Sequence, residues 1–301
     1  MTSAIATDHL TKRFGRKRAV DDLMLDVPRG EVFCFLGRNG AGKSTTIRML
    51  LGLVRPSAGA VSILGKPIRF GGDAALRKVG AIVEQPAFYE SLSAERNLKY
   101  FALPAGGATR EEIARAIELV GLAGRERDAV RTYSQGMKQR LALAASLVPA
   151  PELVILDEPT NGLDPQGIRE IRGIIRRLAD DEGITVFLSS HLLSEVEQLA
   201  DRLAIIEQGR LVYQGRLDRL PRTRAFQVTA DPVDRAAVLL EERLHVRPGR
   251  LPDGTLEFDI DGHDPAAINR MLVEEGVKVA RLSFRDETLE DIFLRLPGTA
   301  T

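Results

Sequence analysis

The sequence predicts an α/β protein built on a largely parallel sheet, with a smaller α+β module following it. Two features carry that expectation. Over the first two thirds of the chain, short apolar runs bounded by turn residues alternate with helical patterns, as strands covered on both faces by crossover helices do. Near Leu220-Pro221-Arg222-Thr223-Arg224 the texture changes to a new succession of short strands and helices, as happens where one core ends and another begins.

Taken in order, residues 32–36, 79–83, 153–157, 184–189 and 203–206 are expected buried strands. Helices are expected over 45–53 and 166–179. In the second, Ile168, Ile171, Ile175 and Leu178 recur at steps of three and four and share one face. Residues 4–27 and 60–70 read as short antiparallel strands with turns. Residues 111–148 read as purely helical, part of a helical subdomain at about 86–150. Beyond the break come strand 225–230, helix 233–244, strand 255–260, helix 265–275, strand 277–284 and a last amphipathic turn at 289–296. The expected division is therefore 1–220 and 221–301, the second part compatible with a ferredoxin-like sandwich. Leu289, Ile292, Phe293 and Leu296 are expected to bury one face, within the module or against a second copy.

Composition narrows the function classes. Lys+Arg and Asp+Glu are both 42 in 301 residues, so no net field draws in nucleic acid or an anionic membrane. The one cysteine, Cys34, sits inside Val32-Phe33-Cys34-Phe35-Leu36 and reads as a buried strand thiol. No stretch reaches the roughly 18 to 20 unbroken apolar residues of a membrane helix; the richest, 141–156, is interrupted by Pro149, Pro151 and Glu152. Asp8, His9, Lys12 and Arg13 break up any signal-peptide core. A cytoplasmic protein is expected.

Gly37-Arg38-Asn39-Gly40-Ala41-Gly42-Lys43-Ser44 matches G-x-x-x-x-G-K-[ST] between an expected strand and an expected helix that takes in Thr45. Glycines let backbone N–H groups approach phosphate oxygens, and the following helix directs its positive end at them. Lys43 would bring a full charge to the β- and γ-phosphates, and the Ser44 hydroxyl would ligate Mg²⁺. Leu153-Val154-Ile155-Leu156-Asp157-Glu158 is an apolar strand ending in two carboxylates, at the sheet edge where α/β ligands bind. Asp157 would hold Mg²⁺, and Glu158 would polarise an attacking water.

From here the residues resemble the ABC transporter ATPase subunits. Tyr133-Ser134-Gln135-Gly136-Met137-Lys138-Gln139-Arg140 is similar to the family's signature, Leu-Ser-Gly-Gly-Gln, with departures at Tyr133, Gln135 and Met137. Ser134 and Gly136 keep what a phosphate-facing helix start needs, a capping hydroxyl and an unobstructed backbone. Its form resembles that of drug- and peptide-antibiotic-exporting members. Glu158-Pro159-Thr160-Asn161-Gly162-Leu163-Asp164 resembles the segment that joins the second carboxylate to the dimer-contact loop, with Asp164 as its acidic residue. Ser189-Ser190-His191 resembles the γ-phosphate switch, and Val83-Glu84-Gln85-Pro86 the Gln loop, in which Gln85 reaches Mg²⁺. Phe14, 23 positions before Gly37, resembles the aromatic that stacks on adenine.

The resemblance covers residues 4–220 strongly and the C-terminal module more loosely. It implies a P-loop NTPase fold of RecA-like core with antiparallel β and helical subdomains. It implies ATP and Mg²⁺ as cofactors, and two subunits packed head to tail, each ATP lying between one P-loop and the other's Ser134 and Gly136. It also implies a separate integral membrane permease that holds the chain on the inner face of the membrane. The leading expectation is the ATPase of an exporter of an antibiotic, peptide or lipid-like cargo. An importer subunit and a soluble ABC ATPase acting on nucleic acid or ribosomes are the rivals. One P-loop, one signature and no sustained heptad run count against the last, and no nucleic-acid partner is expected.

Overall fold

The chain opens on an antiparallel hairpin, β1 (Ile5–Phe14) and β2 (Lys17–Leu23), in which Phe14 faces Lys17 across the turn. After β3 (Asp26–Val27) the apolar run forms β4 (Val32–Leu36), and the glycine-rich loop leads into α1 (Lys43–Leu50). β5 (Ala58–Ile63) and β6 (Lys66–Pro67) join the hairpin in a five-stranded sheet of order β2-β1-β5-β6, with β3 paired to β1. This computed structural model describes residues 3–71, 74–83, 87–148, 150–220, 224–260 and 262–295. It divides into two compact units, Met1–Arg219 and Leu220–Thr301.

β7 (Val79–Ile82) returns the chain to the core before a helical region of α2 (Ala94–Ala102), α3 (Arg110–Leu119) and α4 (Gln135–Leu147). The region read as purely helical, 111–148, is helical but interrupted. Gly121 and Gly124 take φ of 67° and 82° after α3, a region L-residues enter at a cost. A helix cannot continue through them, and the next one starts only at the Ser134 cap. The chain then runs through β8 (Leu153–Asp157), α5 (Pro165–Asp180), β9 (Thr185–Ser190), α6 (Leu193–Leu199), β10 (Arg202–Glu207) and β11 (Arg210–Arg216).

The second sheet has order β11-β10-β4-β9-β8-β7, parallel except for edge strand β11. α1, α5 and α6 pack on it, which is why every residue of β4 is buried. Cys34 lies there as expected, and burial pushes its thiol pKa up. Phe187 on β9 stacks on Phe33 at 5.7 Å and leans on Phe35 at 5.6 Å. Phe187→Ala is expected to cost about 3–5 kcal/mol, measured by urea unfolding; a loss under about 1 kcal/mol, within reach of a surface change, would contradict the packing argument.

In the second unit, β12 (Arg224–Asp231), α7 (Val233–Leu244), β13 (Gly249–Arg250), β14 (Leu256–Asp259), α8 (Pro265–Glu274) and β15 (Lys278–Asp286) follow the β-α-β-β-α-β order of ferredoxin-like folds. The sheet runs β13-β14-β12-β15, around a core that includes Phe226, Val228, Leu240, Ile268 and Leu272. In α9 (Leu289–Arg295), Leu289, Ile292 and Phe293 are 0%, 2% and 7% exposed in the single chain, so their burial needs no second copy. Leu296 lies outside the described residues. Among the described residues no helix is long and apolar enough to cross a membrane.

Candidate active site

β9 lies between β4 and β8. The three strands therefore deliver the glycine-rich loop, the Ser189-Ser190-His191 segment and the Asp157-Glu158 pair side by side at one sheet edge. In the loop, Gly42 is the N-cap of α1 with φ 112° and no side chain capping the helix. A Cβ there would lie 2.4 Å from the Ala19 carbonyl oxygen, and one at Gly37 would lie 2.6 Å from that of Ile206. Glycine is thus required at both positions by contact, and at Gly42 by backbone conformation as well. The first N–H groups of α1 remain available to an anion rather than to a side chain.

Lys43 is 6% exposed. Its Nζ donates to the Gly37 carbonyl at 2.6 Å and lies 3.1 Å from Glu158 Oε1. The other carboxylate oxygen of Glu158 accepts from His191 Nδ1. One carboxylate thus bridges the loop lysine and the switch histidine. Glu158 adopts φ 52°, a left-handed conformation costing a non-glycine residue about 1–3 kcal/mol. It is held there on both sides: its N–H donates to Ser189 Oγ at 3.0 Å and its carbonyl accepts from Asn161 N–H at 3.1 Å. The Ser189 hydroxyl in turn donates to Asp157 Oδ1 at 2.6 Å, so the two carboxylates are set through one serine. Of these groups Lys43, Glu158 and His191 border a cleft of about 510 Å³.

Phe14, Asn39, Gly40, Gly42, Lys43, Ser44, Thr45, Glu158 and His191 all line that cleft. Gly37, Arg38 and Ala41 belong to the loop without forming the cleft wall, and Asp157 does not line it either. Phe14 is half exposed, with Lys12 Nζ 4.9 Å from its ring centre. Lys17, Ala19 and Asn161 line the cleft too and were not anticipated. The hairpin register that sets Lys17 opposite Phe14 is the signal that points to the first of them. Gln85 lies outside the described residues.

Ser134, Gly136 and Asp164 do not border this cleft. Ser134 caps α4, its Oγ accepting from Met137 N–H at 3.2 Å, and a Cβ at Gly136 would meet nothing nearer than that Oγ, at 4.0 Å. Asp164 caps α5 by accepting from Gly167 N–H at 2.7 Å. The departure at Tyr133 has a structural account: its ring is buried and its hydroxyl donates to the Arg125 carbonyl at 2.7 Å. Lys138, five residues on, pairs with Glu90 at 2.6 Å and holds that carboxyl below its ordinary pKa.

Residues 20–161 match the profile of a family described as ABC transporter. The chain is 41% identical over 304 aligned residues to the bacitracin transport ATP-binding protein BcrA of Bacillus licheniformis, covering 100% of this chain and 99% of that one. It is 36% identical to the daunorubicin resistance ATP-binding protein DrrA3 of Streptomyces coeruleorubidus, over 98% of this chain and 96% of that one. Among solved structures, cbiO1 of Clostridium perfringens, described as part of the ABC transporter complex cbiONQ, superposes with a TM-score of 0.65 at 27% identity. That match covers 72% of this chain and 89% of the other.

Proposed function

Since the chain belongs to the ABC transporter family of ATP-binding proteins, we propose that it is the ATP-hydrolysing subunit of an exporter for an antibiotic or similar amphiphile. Its permease would be a separate membrane chain. The observation that carries the catalytic reading is the Glu158 carboxylate set between Lys43 and His191 at the cleft. The export reading rests on likeness running the full length of antibiotic transport and resistance proteins, the C-terminal unit included.

In this reading the α1 N-terminus and the Lys43 ammonium bind the β- and γ-phosphates of ATP, and the Phe14 ring takes the adenine face. Glu158 orients a water and accepts its proton as it attacks in line. His191, fixed against Glu158, positions the base and faces the γ-phosphate. The Ser44 hydroxyl and the Asp157 carboxylate are oxygen donors of the kind Mg²⁺ takes. Among the described residues no three His, Cys, Asp or Glu side chains could hold a metal ion together, so such an ion would draw most of its ligands from the phosphates and water. When bound it would neutralise charge developing on those phosphates. Ser134 and Gly136, which do not line their own cleft, would serve the nucleotide of a second copy packed head to tail. The chain would sit on the inner membrane face through its permease.

Deleting the gene is expected to lower the concentration of a cyclic peptide antibiotic, a lantibiotic or an anthracycline needed to stop growth. Restoring the wild-type gene should restore tolerance, and restoring Glu158→Gln should not. Unchanged sensitivity to all three classes would overturn the export reading while leaving the ATPase assignment to be tested on the purified protein.

A further inference from the structure

Glu195 stands in the first turn of α6 and is 5% exposed. One of its oxygens, Oε2, accepts two hydroxyls, from Thr160 Oγ1 at 2.8 Å and from Ser190 Oγ at 3.2 Å. The other, Oε1, has no hydrogen-bond partner among the described residues and lies 3.9 Å from Arg172 Nη2. A buried carboxylate is costly to keep, and its partners here are telling. Thr160 is two residues after Glu158; Ser190 immediately precedes His191. The Ser190 hydroxyl also accepts from Leu192 N–H at 3.0 Å, so the turn that carries His191 is tied down on either side of it. Thr160 is 7% exposed and Ser190 3%, which leaves little solvent to replace these bonds.

We propose that Glu195 is a positioning residue for ATP hydrolysis, clamping the segment after Glu158 and the segment before His191 to one carboxylate so that base and histidine meet in register. Glu195 does not line the cleft and acts only through Thr160 and Ser190. The inference rests on the ATPase reading above. A shift of about 1 Å in a positioned group can cost on the order of a hundredfold in rate, and loss of the clamp frees two segments at once.

The test compares Glu195→Ala and Glu195→Gln in the full-length protein with wild type assayed alongside. The amide oxygen of Gln can accept the same two hydroxyls; Ala cannot. Glu195→Ala should lower kcat for MgATP by about tenfold to a hundredfold, with KM and the Kd of a fluorescent ATP analogue within about twofold. Glu195→Gln should retain kcat within about threefold of wild type. Thr160→Val, which removes one hydroxyl at nearly constant shape, should lower kcat in the same direction and keeps the test open if Glu195→Ala does not fold. Wild-type kcat in Glu195→Ala or Thr160→Val would overturn the proposal. So would Glu195→Gln as slow as Glu195→Ala, or nucleotide affinity falling in step with kcat. Absence of turnover in folded wild type would instead remove the ATPase reading, and the positioning role with it.

Discussion

Lys43→Ala is expected to reduce MgATP hydrolysis at least about a hundredfold, the scale seen when one donor to a developing oxyanion is removed. Lys43 Nζ is the buried cation of the cleft, held by the Gly37 carbonyl and by Glu158. Its loss removes the charge that would meet the phosphates, and it also leaves Glu158 without its ammonium partner. The variant should still fold, because β4 and α1 are held by apolar packing rather than by this side chain. Circular dichroism and a phosphate-release assay check the two halves. Turnover near wild type in a folded Lys43→Ala protein would remove the loop from the mechanism.

Glu158→Gln is expected to slow hydrolysis by about 10²–10⁴-fold, the usual contribution of a general base, while nucleotide still binds. The amide keeps the shape and can hydrogen-bond, but it cannot take a proton from water. If ATP bound between two copies favours their closed arrangement, a variant that binds without cleaving should collect as dimer. Size-exclusion chromatography with MgATP should therefore show a larger dimer fraction for Glu158→Gln than for wild type. A Glu158→Gln protein that hydrolyses at the wild-type rate would mean the catalytic carboxylate lies elsewhere.

Much of the first unit was legible because its motifs state their own surroundings. An apolar run, then spaced glycines, then Lys-Ser can satisfy its backbone only as strand, loop and helix, and β4 and α1 follow. The same holds for β8, whose apolar run ends in Asp157-Glu158. Other features depend on partners distant in sequence and were not visible. No glycine marks Glu158 as left-handed, and one of the two bonds that hold its backbone comes from Ser189, 31 residues away. α2 was not singled out, although Ser93 caps it and its buried positions include Leu98 and the fully buried Asn97. The Asn97 side chain bonds the Tyr89 backbone in both directions, a partner eight residues away that no local pattern announces. α6 and β11 were missed as well, being short and dependent on the sheet they border. In the C-terminal unit each expected strand and helix appears, with β13 as the addition, because alternation and caps are local signals.

The most direct test of the account is the identity of the nucleotide held by the purified full-length chain after incubation with MgATP and rapid desalting. Wild type should carry ADP, and Glu158→Gln should carry intact ATP at similar occupancy. Intact ATP in both would contradict hydrolysis by this cleft, and ADP in both would contradict Glu158 as its base.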